Sequence, residues 1–440
     1  MSSVIWLLLA YWQARNMKFQ TRAELEQHQA HKLKKFMRVL CLRSRYFAPF
    51  KARPLAQWPL MDKSVMLANF DTMNTAGLTL VQVMNAAQNA ERSRDFRPHL
   101  NGITVGLSSG TTGQRAAFAV NAREKAQWAG IMLARALPDG LFAGERVALF
   151  LRANSNLYTA VRSPWLTFAF FDLFKPFEQN LLALARYQPS VIVAPAQVLR
   201  QLALAALAGT LQVKPRRVIS VAEVLEPQDR ALIEKAFGRP HEIYQATEGF
   251  LASTCEQGVL HLNEEYVHVE REWLDAAHTR FVPVITDFSR LTQPIVRYRL
   301  NDVLAVRPKP CICGRVTLAL NHIEGRCDDM LVLPGLDGNA VSVFSDALSR
   351  ALAQALPMDA DYRLFQNDVA ALQLHALLDA DALQAVQTHL VQALKTWGVD
   401  TASLVWSLHP ELPAFDPTQK RRRIVRRVLT RNHQEQSNAQ

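Results

Sequence analysis

The sequence is short of most features that mark specialised protein classes. It has no long hydrophobic run: the apolar stretch nearest the start, Val4 to Trp12, is only nine residues, and a membrane-spanning helix needs ~20. No membrane span is therefore expected. No Lys or Arg precedes that run and no small-residue cleavage site follows it, so a secretory signal is not expected either. Glycine (17) and proline (21) are too scarce among 440 residues for a collagen-like or linker-type chain. Cysteine is sparse and odd in number, five; with no secretory signal this points to a reducing compartment and an expected cytoplasmic location. No repeat period appears, and low complexity is confined to the basic carboxyl end. What remains is ordinary globular usage, 49% apolar and 20% charged, which excludes wholesale disorder. The length allows two or three domains of ~150 residues.

Charge informs by position. The net charge is +11, but residues 1–60 hold eleven bases against two acids, and residues 411–440 seven against three. The body is thus close to neutral and both ends are basic. Basic ends can meet nucleic acid, an anionic membrane or an acidic partner protein. The plainer reading of Lys32 to Arg53 is a solvated helix face.

Residues 1–100 read as mostly helical; Leu25, Ala30, Leu33, Phe36 and Met37 recur at helical spacing between Arg22 and Val39. From 100 to 300, short apolar runs (Val147–Leu151, Val191–Ala194, Arg217–Val221) alternate with helical stretches (Val198–Leu211, Glu226–Phe237). That alternation predicts parallel strands with crossover helices, an α/β core. After Gly325 the pattern changes: a strand over Met330–Leu333, a helix over Val343–Leu356, a strand near Leu372–Leu377 and a helix over Ala382–Trp397. The expected organisation is a large domain over 1–325, helical at its start, and a smaller one over 326–440.

Ser108-Ser-Gly-Thr-Thr-Gly113 follows strand-like Ile103–Val105. Glycine lets a backbone turn sharply and approach a ligand, and free N–H groups with hydroxyls suit phosphate oxygens. No Gly-Lys-Ser/Thr follows, so this is not a Walker loop. A plain loop is one alternative. Another is a nucleophile elbow, because Gly106-Leu-Ser108-Ser-Gly110 fits Gly-x-Ser-x-Gly. His375, His389 or His409 would then complete a hydrolase triad. A non-catalytic polyanion-binding module is a third reading.

The order of the remaining motifs separates these readings. Tyr244-Gln-Ala-Thr-Glu248, Tyr298-Arg-Leu-Asn-Asp302, Gly325-Arg-Cys-Asp-Asp329 and Lys420-Arg-Arg-Arg423 follow the Ser108–Gly113 segment in sequence. In content and order the chain resembles the adenylate-forming superfamily of acyl-CoA synthetases and peptide-synthetase adenylation domains, and within it the phenylacetate-CoA ligase branch. The resemblance implies the adenylate-forming fold: a large multi-layer α/β amino-terminal domain and a small mobile α+β carboxyl-terminal domain. It implies an acid–thiol ligase that turns a carboxylic acid, ATP and Mg²⁺ into an acyl-adenylate and pyrophosphate. The acyl group then passes to CoA or the phosphopantetheine of an acyl carrier protein. An adenylyltransferase that stops at an AMP conjugate is the neighbouring alternative.

The same resemblance assigns residues. Ser108, Ser109, Gly110, Thr111, Thr112 and Gly113 would cradle phosphates, and Ala222 and Glu223 would meet adenine, with Tyr244 beside them. Glu248 would hold Mg²⁺ next to Thr247, since a carboxylate is a hard oxygen ligand. Asp302 and Arg326 would hold the ribose, and Lys420 would bridge the substrate carboxylate and the α-phosphate. Asp328 would be the hinge of the small domain. Taken singly, Glu248, Asp302 and Arg326 are ordinary surface charges; the ordered set makes them functional. In the run Lys420-Arg-Arg-Arg423 any base could be the one that bridges carboxylate and phosphate, and a basic tail binding polyanions is the alternative reading. Gln245 stands where the family has Gly, Leu300 and Asn301 where it has Thr and Gly, and Gln419 where it has Gly. Asn301 is a residue that tolerates a left-handed backbone.

Cys255, His261, Cys311 and Cys313 form a separate set, Cys-x5-His followed by Cys-x-Cys, within region 250–315. Three thiolates and an imidazole make a closed tetrahedral site for structural Zn²⁺, with unligated thiols as the alternative. The phenylacetate-ligase branch carries a similar cluster. Cys327 and Cys41 fit this set less well. The aromatic-rich stretch Ser163–Phe177 reads first as core, and some of its rings would line a flat slot for an aryl acid.

Overall fold

The computed structural model describes residues 2–93, 98–107, 117–151, 165–326, 330–414 and 422–427. These form two compact units. The first holds residues 2–225 and 232–323, and the second holds 226–231, 324–414 and 422–427. Among the described residues, no helix is long and apolar enough to cross a membrane.

The first unit opens with helices α1 (Ser3–Asn16), α2 (Arg22–Arg43), α3 (Lys63–Ala68), α4 (Phe70–Met73) and α5 (Leu80–Ser93). Thr21 starts α2 by accepting the Glu24 N–H, and Asp62 starts α3 through the Val65 N–H, the usual satisfaction of a helix's first free donors. A three-stranded antiparallel sheet follows: β1 (His99–Leu100), β2 (Ile103–Leu107) and β3 (Ala117–Val120). Helix α6 (Ala122–Ala136) then begins with a reciprocal capping box between Asn121 and Glu124.

The predicted strand–helix alternation is present from here to residue 246. Strands β4 (Glu145–Leu151), β5 (Leu166–Asp172), β6 (Val191–Pro195), β7 (Arg217–Val221) and β8 (His241–Ala246) lie parallel in the order 5-4-6-7-8. Helices α7 (Phe177–Tyr187), α8 (Ala196–Leu207) and α9 (Pro227–Phe237) connect them. Alternate residues of β4 serve opposite faces. Val147 and Leu149 pack toward α1 and α6, while Ala148 and Phe150 pack in the cluster that holds Leu184, Leu199 and Ile233. The result is a helix–sheet–helix sandwich.

After β8 the alternation expected up to residue 300 fails. The chain makes only strands: β9 (Gly249–Thr254), β10 (Leu260–Leu262), β11 (Val267–Trp273), β12 (Arg280–Asp287), β13 (Ile295–Arg299), β14 (Asp302–Val306) and β15 (Ala319–Arg326). They continue the same sheet antiparallel to twelve strands. All of these connections but the one from β14 to β15 are too short for a crossover helix, so hairpins are the available solution for them. The amino-terminal helices cover this half. Phe36, Leu40, Phe47, Trp58, Met61 and Met66 share a core with Leu251, Phe281, Ile295 and Leu304, and Met61 bonds on both sides of Tyr298 through Arg297 O and Arg299 N.

The second unit contains the hairpin β16 (Leu331–Pro334) and β17 (Ala340–Val343), helices α10 (Ser345–Ala355) and α11 (Ala380–Thr396), and a four-stranded sheet. That sheet has the order 20-19-18-21, built from β18 (Tyr362–Asp368), β19 (Ala371–Ala376), β20 (Val405–His409) and β21 (Ile424–Arg426). Leu348, Leu352, Leu383, Leu390 and Leu394 from the helices bury against Leu364, Leu372 and Leu374.

Helix α1 meets α6 at very close range. A Cβ on Gly130 would stand 2.3 Å from Leu7 O and 2.9 Å from the Tyr11 N, so the backbones approach as only glycine allows. Alanine favours a helix interior by about 1 kcal/mol over glycine, but overpacking here costs ~1–3 kcal/mol. Gly130→Ala is therefore expected to lower the melting temperature. An equal or higher midpoint would contradict the packing.

Candidate functional site

A cavity of about 670 Å³ lies in the first unit. Its walls include the carboxyl-terminal ends of four parallel strands: Leu151 of β4, Pro195 of β6, Val221 of β7 with Ala222 and Glu223 beyond it, and Gln245 and Ala246 of β8. Ligands of open α/β sheets bind at that edge. The remaining wall is mainly apolar, with Phe118, Trp128, Met132, Leu149, Phe168 and Phe250.

Ala222 has a left-handed backbone, φ +67°, which strains a residue that carries a Cβ. Its neighbour Glu223 is fixed by the Gln197 N–H, 3.1 Å from Oε2 at the start of α8. Thr247 and Glu248 are the two connecting residues of the β8–β9 hairpin, where Ala246 pairs with Gly249. The carbonyl of Thr247 accepts Arg290 Nη1 at 2.6 Å.

Two motifs far apart in sequence meet here twice. Tyr244 Oη donates to Asp302 Oδ2 at 2.5 Å. Burial, followed by the charge of the neighbouring Glu248, pushes the Tyr298 phenol well above the usual range, so that the phenol stays protonated beside that carboxylate. Asn301 is not the left-handed residue of this segment. That conformation belongs to Arg297, φ +44°, whose guanidinium holds Glu270 and the carbonyls of Ala56 and Trp58.

The structure also brings Cys255, His261, Cys311 and Cys313 together, with all four ligand atoms within 4.8 Å of one another. Cys255 Sγ lies 3.8 Å from Cys311 Sγ, and Cys313 Sγ lies 3.4 Å from His261 Nε2. The other ring nitrogen, Nδ1, faces Thr317 O at 3.2 Å, the arrangement that orients a ligating histidine. Burial holds the His261 pKa below the usual range, so the ring is neutral. Burial also pushes Cys313 up to about 12. At Cys311 burial acts in the same direction, but the Cys313 N–H and thiol outweigh it and hold that pKa down. Each cysteine segment turns on a left-handed glycine: Gly258 N returns to Cys255 O and Gly314 N to Cys311 O.

Ser108, Ser109, Gly110, Thr111, Thr112, Gly113, Cys327, Asp328, Gln419 and Lys420 lie outside the described residues. Arg326 ends β15 and is half-buried. The preceding Gly325 needs its φ of +118°, and a Cβ there would stand 2.6 Å from Ser345 Oγ, a hydroxyl bonded to Glu324 O. Of the basic run, Arg423 is buried among Glu226, Asp229 and Asp361, all at 2.5–2.9 Å, and lies over the Tyr362 ring. It is therefore a structural ion-pair centre and not a polyanion contact. His375 and His409 stack on each other at 4.3 Å in the second unit, and His389 sits on α11. In the aromatic stretch, Phe171 is core, stacked on Phe150, and Phe168 lines the cavity, while Trp165 and Phe174 are exposed.

Several cavity residues carried no motif and were missed. Asp287 ends β12, fully buried, and accepts the Ser289 N–H and hydroxyl on Oδ1. Glu124, Lys125, His99 and Arg290 also line the wall. A polar residue such as Asp287 within a buried strand was the available signal, since charge there needs a purpose.

No family model matches the sequence. A phenylacetate-coenzyme A ligase of Thermus thermophilus is 30% identical over 76 residues, 17% of this chain and 17% of that protein's length. Among solved structures, 2-hydroxyisobutyryl-CoA ligase in the postadenylation state with 2-HIB-AMP aligns with a TM-score of 0.64 at 17% identity, covering 93% of this chain and 91% of that one. An open conformation of the same ligase with 2-HIB-AMP and CoA gives 0.55 at 18%, with 93% of each chain covered. Amide bond synthetase McbA from Marinactinospora thermotolerans gives 0.52 at 15%, covering 73% and 67%. The fold of this chain is that of the adenylate-forming enzymes.

Burial raises the Asp287 carboxyl above its ordinary range, against the opposing pull of Arg290 and Ser289. The folded state then holds a proton that the unfolded state releases, so stability falls as pH climbs from the ordinary carboxylate pKa through the raised one. Asp287→Asn removes that slope. Its melting temperature relative to the unsubstituted chain is expected to rise as pH climbs above the ordinary carboxylate pKa, and parallel melting curves would contradict the assignment.

Proposed function

We propose that this chain, built on the adenylate-forming fold, activates a carboxylic acid with ATP and passes the acyl group to a thiol. The observation that carries this reading is the double meeting of distant motifs, Tyr244 with Asp302 and Glu248 with Tyr298, beside one cavity at the ends of parallel strands. Asp302, oriented by the Tyr244 phenol, is an acceptor for ribose hydroxyls. Ala222 and Glu223 present backbone and carboxylate at the adenine end, and Arg326 adds a ribose contact. The Ser108–Gly113 segment cradles the departing phosphates.

In the first half-reaction a carboxylate oxygen attacks the α-phosphorus, and the bond from that phosphorus to pyrophosphate breaks. In the second, a thiol sulfur attacks the acyl carbon and AMP leaves. Both steps gather negative charge, which fixed positive charge must offset. Glu248, beside Tyr298 and flanked by Thr247, is the carboxylate that would hold Mg²⁺, a cation that would supply such charge on phosphate oxygens. Lys420 is the cation proposed for the reacting carboxylate. CoA is the proposed acceptor and a carrier-protein phosphopantetheine the alternative. The apolar wall with Trp128, Phe118 and Phe168 favours an aromatic acid. The set Cys255, His261, Cys311 and Cys313 fits a structural Zn²⁺ in donor type, number and proximity.

Pyrophosphate release with ATP and Mg²⁺ is expected with some member of a panel of aryl and aliphatic acids, and CoA is expected to accelerate it. Release with acid but no response to CoA would favour a carrier protein or an AMP conjugate as the product. Glu248→Gln should lower turnover by about 10²–10³-fold with the melting temperature retained, and Lys420→Ala should abolish adenylation while ATP still binds. No release with any acid would refute the reading. Separately, purified chain should contain about one zinc, and Cys311→Ser should lower both metal content and stability; a metal-free chain of full stability would refute the zinc site.

A further inference from the structure

The cavity is apolar over most of its wall, yet one ammonium is built into it. Lys125 lies in the first turn of α6, half-buried, and lines the cavity between Glu124 and Trp128. Its Nζ stands 3.4 Å from Thr104 Oγ1, and the same hydroxyl stands 3.2 Å from His99 Nε2. His99 and Thr104 also line the cavity, so strands β1 and β2 and helix α6 contribute a polar rail to one wall. Among the described residues, no carboxylate pairs with Lys125. The adjacent Glu124 is committed elsewhere: Oε1 accepts the Leu291 and Thr292 N–H groups, and Oε2 accepts the Asn121 N–H. Burial accordingly lowers the Lys125 pKa.

A half-buried cation facing apolar surface and lacking a counter-charge costs stability unless something returns that charge. Packing does not require it, because a methionine would fill the same stem volume. From this geometry we infer that Lys125, with Thr104 and His99, forms a subsite for a second anionic group on the acid substrate, remote from the carboxylate that is activated. The preferred substrate class is then an acid with a flat apolar body and a further acidic substituent, such as an aromatic dicarboxylate. The body packs on Phe118, Trp128 and Phe168, and the second carboxylate accepts from the Lys125 ammonium. That this ligand is a substrate rests on the acid-activating reading above; that it binds at Lys125 does not.

The test compares terephthalate with 4-methylbenzoate, which match in shape and differ in the second charge. Full-length chain and its Lys125→Met variant are titrated with each acid and followed by thermal shift and calorimetry. Pyrophosphate release is then measured on the same four pairs. Terephthalate is expected to bind the unsubstituted chain at least about tenfold more tightly than 4-methylbenzoate, and that preference should vanish or reverse in Lys125→Met; tenfold corresponds to about 1.4 kcal/mol. Lys125→Arg should keep part of it, which separates charge from shape. Equal discrimination in both chains would overturn the subsite. So would a variant that keeps its preference and loses ATP affinity, since the ammonium would then serve the phosphates. Charge-dependent binding without pyrophosphate release from any acid would leave the subsite standing and refute the ligase reading.

Discussion

One change of direction in the large sheet governs the rest of the first unit: β8 runs parallel to β7 and antiparallel to β9. Parallel strands joined by crossover helices all deliver their carboxyl ends to the same edge, which leaves an open crevice there. At β8 the chain turns back within two residues, so Thr247 and Glu248 are fixed at that edge by hydrogen bonds on both strands of the hairpin. Every later strand then lies on the far side of β9, and β14 returns Asp302 to Tyr244. A longer β8–β9 connection would free the hairpin tip and uncouple the two motifs.

Buried charge is used in this chain to tie distant loops. Glu264 accepts both terminal nitrogens of Arg22 and the Leu318 N–H, which joins helix α2, the turn after β10 and the entry to β15. Glu124 performs the same task for residues 291 and 292 from the start of α6. In the second unit Arg423 gathers three carboxylates with almost no exposure of its own. Removing one partner of such a buried, paired group strands the others at a cost of about 3–5 kcal/mol. Against that background Lys125 stands out, since its charge answers to none of the described carboxylates.

The cysteine–histidine cluster belongs to the same frame. His261 lies on β10 opposite Ala319 of β15, and Cys311 and Cys313 lie in the loop that joins β14 to β15. Drawing these sulfurs to the imidazole holds that loop against the β9–β10 turn, and the loop's other end is the strand that begins with Asp302.

By itself the sequence determined the strands near 147–151, 191–194 and 217–221 with the helices that follow the last two, and after 330 the strands near 330–333 and 372–377 and the two helices, because there the periods of 3.6 and 2 and the turn residues are strong. It also determined the order of the motifs, since that order is a property of the chain and needs no fold. The all-strand stretch from 249 to 326 does not follow the helix alternation expected of it: its buried strands are short, and their identity is decided by neighbours contributed from elsewhere. Only tertiary structure decided that Tyr244 meets Asp302, that four ligand-type side chains 58 residues apart at their extremes converge, that Arg423 is sealed among acids, and that Asp287 and Lys125 face the cavity. These are through-space facts, and no local spacing encodes a contact made across several strands of a sheet.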